Sequence, residues 1–178
     1  LMSLRLIPNV DVIRPSNSIE MEHSYRYAFS YSKNPKVLSL TRQDLDYLEI
    51  DVKYDEFIKG GYVVSDGDDF TIIASGSELE IAFKIKAALL EYSIRIVSVP
   101  ILNKLSNMKN EEINELLKNK HVFPIELGRS IGWESYLGRL TKTFSIDTFG
   151  ESAPIEDLEK NFGFDIPSIT KEIIKYLN

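Results

Sequence analysis

The chain has 178 residues, enough for one ordinary domain or for one domain plus part of another. Its 21 basic side chains against 27 acidic ones leave a net charge of −6, which speaks against nucleic-acid or anionic-membrane partners, since both need dense basic surface. The 43% hydrophobic share permits an ordinary core, while the absence of cysteine excludes a disulfide framework, a thiolate zinc site and a cysteine nucleophile.

No apolar run approaches the roughly 20 residues needed to cross a bilayer, and no signal-peptide layout opens the chain, so it reads as soluble and intracellular. Leu1 to Ile7 is apolar from its first residue and stops at Pro8, like the last turns of a helix whose beginning is missing. Val10 to Ile13 is a short strand candidate. Asn17 with Glu20 forms a capping-box pattern for a helix running to about Tyr31. Val37 to Leu40 reads as a buried strand that delivers Thr41, Arg42 and Gln43 at its C-terminal end. Residues 44–59 are rich in acids without a sustained period and read as a linker.

From Gly60 onward strands and helices alternate. Gly60–Val64 and Phe70–Ala74 flank Asp66-Gly67, a hairpin turn signal. Ser77 and Glu80 suggest a second capping box, opening a helix to about Tyr92. Ile94–Val99 is a strand, Asn110 can cap a helix ending near Lys118, and Val122–Leu127 and Thr143–Ile146 are further strands. Pro154 suits the start of a helix that Gly163 ends, and a last helix follows Pro167. This alternation predicts an α/β fold: a three-layer αβα sandwich around a five-stranded, mostly parallel sheet, with the Asp66-Gly67 hairpin supplying the one antiparallel pairing.

Few side chains carry an obvious chemistry. His23 and His121 lie in different elements without metal-site spacing, and the Asp66, Asp68 and Asp69 group lacks the twelve-residue calcium loop. Gly76-Ser77 sits where a strand feeds a helix, yet Glu78 and Glu80 beside it would repel an anion. Glu126, Arg129, Trp133, Glu134 and Tyr136 gather after a parallel strand, either as a ligand-binding loop or as an internal ion pair with a packing anchor. Arg42 offers a planar donor fork suited to phosphate or carboxylate, or else to a salt bridge with Asp44 or Asp46.

An ordered set of motifs resembles the transketolase family across nearly the whole chain. It includes Ile7-Pro8-Asn9, Val12-Ile13-Arg14-Pro15, Leu40-Thr41-Arg42-Gln43 and Gly60-Gly61-Tyr62-Val63. Ser130-Ile131-Gly132-Trp133, Phe149-Gly150, Ser152-Ala153-Pro154 and Phe162-Gly163-Phe164 continue it. Glu134 departs from it, standing where many members carry a second aromatic, and Asp44 replaces a common Asn after Gln43.

The resemblance implies a remnant of the pyrimidine-binding domain over 1–43, a linker over 44–59 and the transketolase C-terminal domain over 60–178. It implies a parent enzyme that transfers a two-carbon ketol unit between phosphorylated sugars in the cytoplasm. That parent would use thiamine diphosphate with a divalent cation (Mg²⁺ or Ca²⁺) and act as a homodimer. The N-terminal and pyrimidine-binding domains that complete it would lie upstream, and the isolated fragment would be inactive. It assigns this chain no catalytic, cofactor-binding or metal residue, because the family's Gly-Asp-Gly motif is absent and Ser65-Asp66-Gly67-Asp68 does not supply it. It assigns one substrate residue, Arg42, for the sugar phosphate. Alternatives are a related thiamine enzyme (deoxyxylulose-phosphate synthase or a 2-oxo-acid dehydrogenase β subunit) and a free-standing ligand-binding or assembly module. Without its upstream partners, the 1–43 segment is expected to be partly disordered or to associate non-natively.

Overall fold

The computed structural model describes residues 1–31 and 33–177; Asn178, the end of the expected domain, lies outside them. The N-terminal segment contains α1 (Met2–Arg5), β1 (Asp11–Ile13), α2 (Ser18–Phe29) and β2 (Lys36–Leu38), with β1 and β2 paired in parallel. Residues 44–53 have no regular secondary structure before the helical turn α3 (Tyr54–Phe57), and 44–59 send Ile50, Val52 and Phe57 into the core.

The larger body contains β3 (Tyr62–Ser65), β4 (Phe70–Ala74), α4 (Glu78–Ala88), β5 (Ile94–Ser98), a 3₁₀ turn at Leu102–Asn107 and α5 (Asn110–Leu117). It continues through β6 (His121–Glu126), α6 (Trp133–Leu137), β7 (Phe144–Ser145), α7 (Ile155–Phe162) and α8 (Ile166–Leu177). Its five strands lie in the order β3-β5-β4-β6-β7, and only β3 runs antiparallel to its neighbour. The three-layer α/β architecture expected from the alternation is present.

Strand periodicity explains the two apolar layers. Phe70, Ile72 and Ala74 of β4 point to one face, where Ala82 and Ile85 of α4 and Ile169 and Ile173 of α8 cover them. Ile73 and Val97 point to the other, against Leu105, Leu116, Leu117 and Trp133. β4 and β5 are buried along their whole length, as strands covered on both faces must be.

The expected Asp66-Gly67 hairpin does not form. β5 lies between β3 and β4, so the antiparallel pair is β3–β5. Gly67 is needed there for close approach: a Cβ on it would sit 2.3 Å from the Ile94 carbonyl carbon and 2.6 Å from the Arg95 nitrogen. Asp66 pairs with Arg95 instead of turning the chain back on itself.

Smaller corrections have equally local causes. The helix after Ser77 stops at Ala88, and the Ser77 hydroxyl donates to Glu78 (3.0 Å), leaving no capping box. Asn110 is the first residue of α5 and Lys109 its cap; the Lys109 amide donates to the Glu112 carboxylate at 2.9 Å. β2 is only half-buried, because it pairs with β1 alone. Asn17 does cap α2, accepting from the Glu20 amide at 2.8 Å, and Gly163 ends α7 in the left-handed conformation.

Candidate functional site

Arg42 lies in the loop that follows β2, beyond the half-buried Leu38 and Ser39 and next to the exposed Leu40. The Ser39 amide still donates to the Ile13 carbonyl (2.9 Å), which ties the end of β2 to β1. The Gln43 amide then donates to the Thr41 hydroxyl at 3.0 Å, so the chain turns directly at Arg42. Arg42 is exposed and forms no ion pair among the described residues. The salt bridge to Asp44 or Asp46 that its spacing allowed is not made. Beside this loop an open cavity is lined by Pro15, Asn17 and Ser18 at the start of α2 and by Leu40, Thr41 and Tyr47.

The second polar centre is buried. Arg5 Nη1 donates to both Glu126 oxygens (2.7 and 2.9 Å), and Arg14 Nη1 donates to Glu126 Oε1 at 3.0 Å. Arg14 Nη2 meets both oxygens of Glu78 (3.1 and 3.0 Å), and Trp133 Nε1 donates to Glu126 Oε2 at 2.8 Å. Glu78 also accepts from the Leu127 amide at 2.7 Å. Two arginines face two carboxylates in a neutral group, which is how buried charge is tolerated. Burial lowers the Arg5 pKa from its ordinary value, and the Glu126 charge opposes that shift.

Two further buried carboxylates join the segments. Glu20, fully buried on α2, accepts from Tyr62 OH (2.7 Å), Ser98 Oγ (2.6 Å) and the Ser16 amide (2.7 Å). Asp11 accepts from Tyr27 OH (2.6 Å) and Asn103 Nδ2 (2.9 Å), with Lys104 Nζ 3.4 Å away. Asn103 also donates to the Val10 carbonyl (3.0 Å) and accepts from the Val12 amide (3.3 Å), occupying the edge of β1 that β2 leaves open. In the structure the described part of residues 1–43, where partial disorder was expected, is packed on the body. Val12, Ile13 and Tyr27 are buried, and the segment is bound to the body through these carboxylates.

The other candidates fall apart or find structural roles. Of the cluster after β6, Glu126 and Trp133 come together, Arg129 turns to Asp147 (3.5 Å), and Glu134 is exposed. Gly76 has φ +64°, and a Cβ there would lie 3.3 Å from the Arg14 guanidinium, so an arginine and Glu78 occupy the space an anion would need. His23 Nε2 lies 2.8 Å from the Val52 carbonyl, while His121 stacks on Phe123. Asp68 pairs with Lys118 (2.6 Å) and Asp69 accepts from the Ser93 amide (2.6 Å).

These commitments bear on a diphosphate-bound cation. With Asp66 on Arg95 and Asp68 on Lys118, the Asp66–Asp68 turn does not fit one, and among the described residues no three His, Asp or Glu side chains converge on a point. Sequence reasoning missed Arg5, Arg14 and Glu78 as one junction with Glu126, and Glu20 as a second. The available signal was local: Arg5 sits between Leu4 and Leu6, and Arg14 between a strand and a proline.

Residues 60–165 match the family model for the transketolase-like TK C-terminal domain. The chain is 35% identical over its whole length to a transketolase of Bacillus subtilis, of which it covers 28%. It is 34% identical over 95% of its length to a chloroplastic transketolase of Zea mays, of which it covers 26%. A solved transketolase from Leishmania mexicana superposes with a TM-score of 0.88 over 99% of this chain and 26% of that one, at 30% identity. A split-gene transketolase, described as an inactive β4 tetramer, shares the fold with a TM-score of 0.79 at 18% identity. The chain thus spans about a quarter of the length of the curated relatives it matches.

Proposed function

This chain belongs to the transketolase family, and from that premise we propose that it is the C-terminal part of an enzyme that transfers a two-carbon ketol unit between phosphorylated ketoses and aldoses. The proposed division is a remnant of the pyrimidine-binding domain over 1–43, a linker over 44–59 and the C-terminal domain over 60–178. Thiamine diphosphate, with Mg²⁺ or Ca²⁺, would supply carbanion stabilisation in the parent. The Asp66–Asp68 turn does not fit that cation, because Arg95 and Lys118 hold its carboxylates. The parent is proposed to work as a cytoplasmic homodimer, although the Zea mays relative is chloroplastic. Among the described residues, no helix is long and apolar enough to cross a membrane.

The contribution of this chain's own residues is recognition. Arg42 presents an unpaired guanidinium on an exposed loop, and a guanidinium binds a phosphate dianion through paired, charge-assisted hydrogen bonds. That free arginine, at the position where family members hold the sugar phosphate, is the observation that carries the reading. A hydrogen bond to a charged group contributes about 1.5–3 kcal/mol. Arg42→Ala in the complete enzyme should therefore lower kcat/KM for phosphorylated sugars by about ten- to a hundredfold. Unphosphorylated donors and acceptors should lose much less. Equal losses on both substrate types in steady-state kinetics would overturn the assignment. The same assay run on the isolated chain should show no turnover.

A further inference from the structure

The five-stranded sheet has an open side at β3. That strand pairs only with β5, so the backbone groups along its outer side meet no other strand among the described residues. Such a row of N–H and C=O groups is a ready template for an added strand. A groove of about 510 Å³ lies across this edge. Its walls come from both layers of the fold. Glu111, Glu112 and Glu115 of α5 stand on one side, and Asp51 and Glu56 of the segment leading into β3 stand on the other. Val63, in register with Val97, faces the α5 layer and is 37% exposed, with Met108 and Leu116 as the other apolar side chains of that floor.

The charge of the groove is one-sided. All five carboxylates are exposed, and Asp51, Glu56 and Glu111 form no ion pair among the described residues. Two cations stand against them. Lys59 is exposed, while Arg95 is buried and already held by Asp66 and by the Glu115 and Leu116 carbonyls. We propose that this groove docks an extended, lysine- or arginine-bearing segment of another protein, which adds as a sixth strand beside β3. In this mode of recognition main-chain hydrogen bonds supply affinity, and alternate side chains read the surroundings. Here they would read an apolar floor on one face and unpaired carboxylates on either wall. The inference concerns the C-terminal domain alone and does not depend on the Arg42 reading.

A second copy of this chain is a poor occupant, because edge-to-edge pairing would bring the same carboxylates together. β3 is short and its register shifts between Val63 and Ser65, devices that limit indiscriminate pairing. What they leave open is an apolar side chain among unpaired acids, which favours a cationic partner and repels an acidic one.

The probe is a capped peptide of about eight residues, alternating lysine and valine, long enough to cover an edge strand. Titrated into this chain, it should bind with a dissociation constant below about 1 mM. Bound, it should slow amide hydrogen exchange along β3 and leave β7, the opposite edge of the sheet, unchanged. The glutamate–valine counterpart should not bind. A lysine–valine peptide N-methylated at alternate residues keeps its charge but cannot complete the ladder, so it should bind about tenfold more weakly. Glu56→Lys combined with Glu111→Lys should also weaken the lysine peptide about tenfold. Neither side chain has an ion-pair partner, so the melting temperature should hold. Equal binding to that variant, equal binding after N-methylation, or no slowing along β3 would mean diffuse charge attraction and overturn the proposal. Concentration-dependent slowing along β3 without peptide would make a second copy the occupant and overturn it too. The complete enzyme should bind the peptide as tightly as this chain does; failure there would mean that the enzyme's own upstream part fills the groove, and the proposal would fall.

Discussion

The five-stranded sheet and the two-stranded sheet are secured by different interactions. Every residue of β4 and β5 is buried between two apolar layers; β1 is buried over its three residues, one of them Asp11, and β2 over none. What β1 and α2 lack in apolar cover they recover through Glu126, Glu20 and Asp11, each of which has at least one partner in the other region. The N-terminal segment adds Ile13 and Tyr27 to the apolar core of the body, and its position depends as well on buried carboxylates. Arg42 sits at the far end of that segment, so the junction also fixes the base from which its loop projects.

Breaking the junction should give the largest effect. Glu126→Ala leaves Arg5 and Arg14 without their shared counter-charge in a dry site, where Arg5 Nε and Nη2 already lack partners. Removing one member of a buried pair costs about 3–5 kcal/mol, which urea unfolding would read directly. A loss below about 1 kcal/mol would mean that water or a rearranged side chain compensates the arginines, and the contrast between the two regions would be blunted.

A smaller effect comes from Tyr62, whose phenol reaches Glu20. Burial, followed by the Glu20 charge, pushes the Tyr62 pKa upward. A raised folded-state pKa keeps the proton on the native phenol while the unfolded one ionises near its ordinary value of about 10. Tyr62 therefore contributes stability that is fully present below about pH 10 and is lost as the pH rises above it. Tyr62→Phe should lower stability by about 1 kcal/mol at neutral pH and flatten the alkaline decline, so the two curves converge at high pH. Parallel curves from pH 7 to 11 would show that the Tyr62–Glu20 bond does not carry the linkage.

Hydrophobic rhythm was enough to place β4, β5, β6 and the flanking helices, because each buries a face with a regular period. It was not enough for the sheet order. Asp66-Gly67 is a strong local turn signal, but β5 is buried at all five positions and takes an inner place, while β3, with Val63 exposed, is left at the edge. The junction was illegible for a different reason. Arg5 and Glu126 are 121 residues apart, and no spacing rule joins them. At Arg42, spacing allowed both an ion pair and a free guanidinium, and only the three-dimensional structure shows the second.

The central claim is that the N-terminal segment is held to the body through the buried carboxylates, and amide hydrogen exchange on this chain tests it most directly. The Val12 and Ile13 amides and the middle of α2 should be protected nearly as well as Ile96 and Val97 of β5 in the unmodified chain. In Glu126→Ala, that protection should fall in β1 and α2 first, with β5 still slow. Fast exchange of β1 in the unmodified chain, or a uniform loss across both regions in the variant, would contradict the account.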